Sequence, residues 1–177
     1  MNTGKREASF AGKTIIITGA SAGVGAACAE CFADQGANLV LVARGEDALN
    51  RSAEALRQRA KILTVAMDVS DEDACAGLVE KTLAEFGAIH VLVNNAGLHH
   101  RGDFAGQTPA NMAQMIDVNL RAPVYLTGLA LPHILAAGGG AVVMVGSLAG
   151  RTPMRGAATY ASTKAGLRAF THSLAEE

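Results

Sequence analysis

Five short apolar runs punctuate the chain, at Thr14 to Thr18, Asn38 to Ala43, Lys61 to Ala66, His90 to Asn94 and Ala141 to Val145. Each is nearly continuous in Val, Ile, Leu and Ala rather than alternating with polar residues, which is the pattern of strands buried on both faces of a parallel sheet. Longer amphipathic stretches separate them, and their spacing predicts helices at Val24 to Gln35, Glu46 to Arg59, Asp71 to Phe86 and Pro109 to Ala136, with a last one starting at Ala158. A β-α-β-α order of this kind predicts an α/β fold, a doubly wound parallel sheet covered by helices on both faces.

The boundaries carry suitable residues. Gly36 is placed to end the first helix, Ser70 with Asp71 to Asp73 to cap and charge the third, and Gly138 to Gly140 to end the fourth. With no internal repeat, low-complexity tract or linker, residues 1–177 are expected to form one unit.

Composition narrows the partners. Half the residues are hydrophobic and 18% are charged, which fits a globular chain rather than a disordered one. A net charge of -1 gives no basic surface for nucleic acid, so the expected partners are a small molecule and another subunit. No apolar run has the length of a bilayer span, and Met1 to Lys13 lacks the apolar core of a secretory signal, so a cytoplasmic location is expected. Cys28 and Cys31 have CxxC spacing, but they fall in an alanine-rich helical segment and Cys75 adds no second pair. They are expected to be buried, reduced side chains. His90, His133 and His172 show no ligand spacing with other donors, and no catalytic metal is expected.

Candidate chemistry begins after the first strand, where Thr18-Gly19-Ala20-Ser21-Ala22-Gly23-Val24-Gly25 runs into a helix. Glycines there permit a tight turn and the close approach of a pyrophosphate, whose charge the helix N-terminus favours. No Gly-Lys-Ser/Thr follows, which excludes a P-loop. The TGxxxGxG spacing differs from the general GxGxxG fingerprint and resembles the short-chain dehydrogenase/reductase family, in its compact single-domain subgroup. Gly19, Ser21, Gly23, Val24 and Gly25 are the cofactor-binding candidates of this loop.

The second strand ends Leu41-Val42-Ala43-Arg44, without the carboxylate that accepts hydrogen bonds from the ribose in NAD binders. Arg44 could pair with a 2′-phosphate, so NADP (NADPH) is expected in preference to NAD; Arg44 also reads as a solvated loop charge. Many NADP-using relatives carry a basic residue just before the second glycine, where this chain has Ala22.

Further matches follow in family order. Asp68-Val69 resembles the pair that contacts adenine, and Asn94-Asn95-Ala96-Gly97 matches the NNAG signature, which adds Asp68, Val69, Asn95, Ala96 and Gly97 to the cofactor candidates. Taken alone, Asp68 would be a helix cap and the asparagines turn formers. Tyr160-Ala161-Ser162-Thr163-Lys164 is a YxxxK arrangement, and residues four apart share a helical face. A free phenol titrates near 10 and is a poor base at neutral pH, and a cation beside it favours the phenolate. Ser147 resembles the family serine that hydrogen-bonds the substrate oxygen, and Asn119 the asparagine that holds a water in the proton relay.

The resemblance implies an oxidoreductase interconverting a secondary alcohol and a carbonyl, with Asn119, Ser147, Tyr160 and Lys164 catalytic, and Tyr160 and Lys164 also touching cofactor. It implies a homo-oligomer, dimer or tetramer, paired through the long fourth helix and the last helix. Relatives continue past that helix into a sixth strand, a proline-glycine segment, a substrate lid and a seventh strand. Ser173 to Glu177 carry no glycine cap, and Glu176 and Glu177 oppose the helix dipole, so the expectation is a truncated sequence holding five of seven strands; were it the whole molecule, its fifth strand would be an exposed edge. An alternative is an inactive nucleotide-binding or dimerisation remnant; a methyltransferase leaves YxxxK, NNAG and Ser147 unexplained. The loops Leu98 to Thr108 and Leu148 to Gly156 should face substrate, and their His99, His100, Arg101, Arg151 and Arg155 fit either an anionic or carrier-linked substrate or plain solvated charge. Arg101-Gly102-Asp103 reads as a coincidental adhesion tripeptide.

Overall fold

The computed structural model describes residues 9–177, so the first eight residues of the polar N-terminal stretch lie outside the described residues. In chain order it has β1 (Thr14–Thr18), α1 (Gly23–Ala33), β2 (Asn38–Ala43), α2 (Glu46–Glu54), β3 (Ile62–Ala66), α3 (Glu72–Phe86), β4 (Val91–Asn94), α4 (Pro109–Ile116), α5 (Ala122–Ala136), β5 (Ala141–Met144) and α6 (Ala158–Leu174). The strands form one parallel sheet in the order β3-β2-β1-β4-β5. This is the doubly wound α/β arrangement expected from the apolar runs.

The alternation of side chains along β1 divides the core between two layers. Ile15 and Ile17 pack with Leu39, Leu41, Val91 and Val93 under Ala29 and Ala33 of α1 and Leu49 and Ala53 of α2. Ile16 points the other way, with Val40, Val42 and Leu92, under Cys75 and Leu78 of α3 and Leu126, Ala130 and Ile134 of α5. All three isoleucines are fully buried, each worth about 1.5–3 kcal/mol relative to exposure. Winding runs outward from β1 to β2 and β3, then returns to β4 and β5 on the other side. The carboxyl ends of β1 and β4 therefore frame the switch point, where open α/β sheets bind ligands. At the far end of the sheet lies β5, with Val143 43% exposed.

Several boundaries differ from the sequence expectation. The fourth helix is two helices, α4 and α5, joined by a π-helical turn over Asp117–Arg121 in which the Ala122 N–H reaches the Asp117 carbonyl. The cause is local: Pro123 has no N–H to give to the Asn119 carbonyl four residues back, and its ring crowds that carbonyl. Helix α2 stops at Glu54 and continues as tighter turns, the Leu56 N–H bonding to the Ala53 carbonyl at 2.9 Å. The cap of α3 is Asp71, whose side chain accepts from Ala74 N at 3.0 Å, and not Ser70. Asp34 rather than Gly36 is the C-cap of α1; Gly36 follows with a left-handed φ of 78°. No helix among the described residues is long and apolar enough to cross a membrane.

Candidate active site

The glycine loop is shaped at the switch point by contacts that only glycine allows. Gly19 and Gly23 have φ of 68° and 56°, in the left-handed region. A Cβ on Gly25 would lie 2.3 Å from the Gly19 carbonyl oxygen, so the first turn of α1 rests directly on the end of β1. Helix α1 then begins at Gly23 with Ala22 as N-cap, no side-chain cap and no acidic residue in its first turn. Its first N–H groups are left for an outside acceptor, at the positive end of the helix dipole. By contrast α3 is capped by Asp71 and carries Glu72 and Asp73 in its first turn.

A cleft of about 240 Å³ opens in front of that turn. Gly19 and Ser21 line it from the glycine loop, Arg44 from β2, Asp68 and Val69 from β3, and Ala96 with Gly97 from the NNAG turn. Gly23 and Val24 lie exposed beside it, Val24 by 60%. Arg44 stands 4.0 Å from the Asp68 carboxylate, and both side chains are open to solvent. Burial acts to raise the Asp68 pKa, but hydrogen bonds from Ser70 and the Arg44 charge outweigh it and hold the carboxyl below its usual range.

Asn95 fastens the two loops of the switch point. Its Nδ2 donates to the carbonyls of Thr18 (2.9 Å) and Gly19 (3.2 Å). The Thr18 hydroxyl, which donates to the Val93 carbonyl, accepts from the N–H groups of Asn95 (3.0 Å) and Ala96 (2.9 Å). Thr18 thus belongs to the site although sequence reading treated it only as a letter of the glycine motif. Asn94 points away, donating to Thr127 Oγ1 at 3.1 Å within the core.

A second cavity of about 230 Å³ shares Gly97 and Leu98 with the first and is lined beyond them by Asn95, His99, Gly146, Tyr160 and Lys164. Lys164 is buried, its Nζ donating to the Val145 carbonyl at 2.8 Å and lying 5.9 Å from the centre of the Tyr160 ring. Burial pushes its pKa below the ordinary lysine value. Ser147 lines an adjoining groove that shares Gly146 and Lys164 with this cavity, and its Oγ accepts from Ala149 N at 3.2 Å, which leaves the hydroxyl proton free to donate. Asn119 is fully buried in the π turn. Its Oδ1 accepts from Leu98 N at 2.8 Å while Nδ2 donates to Leu98 O (2.8 Å) and Thr163 Oγ1 (3.3 Å), so the whole amide is committed to holding the loop after NNAG.

His99 is the side chain that sequence reading placed only generally: it lies flat on Tyr160, ring centres 4.1 Å apart and planes 13° apart. The charged loop residues are dispersed. Asp103 of the tripeptide lies 3.8 Å from Arg155, both exposed. The cysteine expectation needs correction, because Cys31 is exposed and Cys28 half-buried where the outer face of α1 meets solvent; Cys75 alone is buried. His90 is structural, its Nδ1 accepting from Thr14 N at 3.0 Å. No group of three or more metal-binding side chains occurs among the described residues.

The sequence model of the family described as short chain dehydrogenase matches residues 13–177. The chain belongs to that family. It is 38% identical over 162 residues to sulfoacetaldehyde reductase 2 of Chromohalobacter salexigens, covering 90% of this chain and 64% of that protein. To the ketoacyl reductase HetN of a Nostoc species it is 34% identical, over 94% of this chain and 58% of the relative. The chain thus spans about three fifths of the length of these two family members. A crystal structure of a metagenomic short-chain oxidoreductase in complex with NADP superposes with a TM-score of 0.89 at 36% identity, covering 94% of this chain and 76% of that one. The family is one of oxidoreductases.

Proposed function

We propose that this chain is a single dinucleotide-binding and catalytic unit of an enzyme that interconverts a secondary alcohol and a carbonyl compound, with Tyr160 as the proton donor and acceptor. The observation that carries the reading is the shared wall of the two cavities. Gly97 and Leu98 border both, so a dinucleotide with its pyrophosphate on the α1 N-terminus and its adenosine end between Arg44 and Val69 has a path to Tyr160 and Lys164. When bound, the nicotinamide would supply or take the hydride.

The residues fit that group, since Gly23 leaves open space where a Cβ would stand and the helix end above it has no internal cap. Gly19, Ser21, Gly23, Val24 and Gly25 would hold the phosphates, Asp68 and Val69 the adenine, and Asn95, Ala96 and Gly97 the floor. The tip of β2 ends in Arg44 rather than a carboxylate, and its solvent-exposed guanidinium, only loosely paired with Asp68 at 4.0 Å, favours NADP through a charge-assisted pair with a 2′-phosphate. Lys164 would hold the cofactor ribose and place its cation near the phenol. Ser147 would donate its free proton to the substrate oxygen. The amide of Asn119 is spent on Leu98, so its contribution to a proton relay falls to the Asn119 carbonyl, whose helical donor Pro123 cannot provide. The exposed faces of α4, α5 and α6 would pair subunits in a homo-oligomer.

Titration of NADPH and NADH into the wild-type chain and Arg44→Ala, run alongside carbonyl-dependent NADPH oxidation, tests the reading. NADPH affinity should fall about tenfold or more in Arg44→Ala with NADH little changed, a charged hydrogen bond being worth about 1.5–3 kcal/mol. Binding without turnover across a broad carbonyl panel would instead favour the remnant reading.

A further inference from the structure

Very little holds the Tyr160 ring apart from its neighbour on the loop after NNAG. Among the described residues the phenol hydroxyl makes no hydrogen bond, and Lys164 is turned to the Val145 carbonyl, 5.9 Å from the ring centre. The one group in direct register with the ring is the His99 imidazole, 4.1 Å away and within 13° of parallel. An aromatic pair at that separation is attractive in its own right and resists rotation of either ring out of plane.

His99 is itself fixed from several sides. The backbone of Gly156, on the loop leading into α6, faces the imidazole, and that loop is tied to His99's own by Gly102 N donating to the Gly156 carbonyl at 3.0 Å. Gln107 Nε2 closes the 98–108 loop on the carbonyls of His100 (2.8 Å) and Gly102 (2.9 Å). One ring nitrogen, Nε2, is sealed from solvent without a partner. The charged and titratable groups around the imidazole are Arg101 and His100 on its own loop and Tyr160 and Lys164 on α6. Burial first, then the Arg101 charge, push its pKa below the ordinary imidazole value.

We propose that His99 is a positioning residue for Tyr160: the stacked imidazole, held by the clasp between the 98–108 and 148–157 loops, sets the plane of the phenol and so the aim of its hydroxyl. The inference rests on the catalytic reading of Tyr160 for its purpose, but not for its geometry. Protonation of His99 would put a cation face-on against the phenol and so change the interaction between the two rings.

The test does not need turnover. The chain has two tyrosines and no tryptophan, so Tyr125→Phe leaves Tyr160 as the only strong emitter. In that background Tyr160 emission should change in one step as pH falls, with a midpoint below 6.5, and its anisotropy should be that of a restrained ring. His99→Phe should abolish the step and keep the restraint; His99→Ala should lose both. A step that survives His99→Phe, or a ring as restrained in His99→Ala as in the parent, would overturn the proposal. If the variants behave as stated while Tyr160→Phe retains full turnover, the stack stands and the catalytic assignment fails, so the two failures are distinguishable.

Discussion

Removing the Asn119 amide should be among the most damaging single changes available in the site, although the side chain touches no predicted ligand. Asn119→Ala deletes two 2.8 Å hydrogen bonds to Leu98 and a longer one to Thr163, and it leaves the Leu98 N–H and carbonyl without partners. An orphaned buried polar group costs about 1–3 kcal/mol. Leu98 is only half-buried, so water can recover part of the loss, and the expected destabilisation is about 2–4 kcal/mol. Read by urea unfolding, that is a lower midpoint at unchanged slope; by heating, a fall of roughly 5–15 °C at 2–4 °C per kcal/mol. Asn119→Asp separates geometry from donor capacity, because it keeps an acceptor for Leu98 N but sets an oxygen against the Leu98 carbonyl; it should be at least as unstable as the alanine variant. An Asn119→Ala chain within about 0.5 kcal/mol of wild type, the range of an ordinary surface change, would refute the clamp.

Gly25→Ala should lower stability by about 1–3 kcal/mol and weaken NADPH binding, since the new methyl would collide with Gly19 O at 2.3 Å and Asn95 Nδ2 at 2.6 Å; fluorescence titration beside a melt would show whether both fall together. Native alkylation with a thiol reagent, read by mass spectrometry, should label exposed Cys31 and spare Cys75, which burial and nearby acids push up to about 11 and whose Sγ faces the Val69 carbonyl. Stability should drop as pH falls below 6.5. Burial lowers the folded pKa of both His90 and His99, so between that value and 6.5 the unfolded chain binds more protons, and acid favours it. His90→Gln should shrink this loss in denaturation measured across that window; an unchanged loss would mean that other groups carry it.

The sheet was legible because its signal is short-range. Runs such as Thr14-Ile15-Ile16-Ile17-Thr18 are buried on both faces whatever their neighbours do, so their apolar continuity sufficed to give strand positions and a parallel arrangement. The glycine loop and the NNAG turn were equally readable, because Gly19 and Gly25 answer to a steric need that no other residue meets. The π turn was harder. Pro123 was visible, but a helix tolerates proline near its start, so the residue alone does not say whether a helix begins there or a longer one gives way, as it does over Asp117–Arg121. His99 could not be found by periodicity at all: it reaches Tyr160 where two loops, far apart in sequence, are clasped through Gly102 and Gly156, with Gln107 closing the first of them on itself. The exposure of Cys31 was missed for a simpler reason, the alanine-rich α1 having no strong polar face to mark its outer side.

On the proposed function, a nicotinamide cofactor lies across the two adjoining cavities from Arg44 to a proton-transferring phenol. The most direct test compares wild type with Tyr160→Phe in two assays on the same preparations, NADPH affinity and NADPH-dependent reduction of a carbonyl substrate. Affinity should stay within about twofold of wild type and turnover should fall by about 10²–10⁴-fold, the usual share of a positioned acid or base. Turnover that survives the loss of that single hydroxyl undiminished would contradict the proposed function.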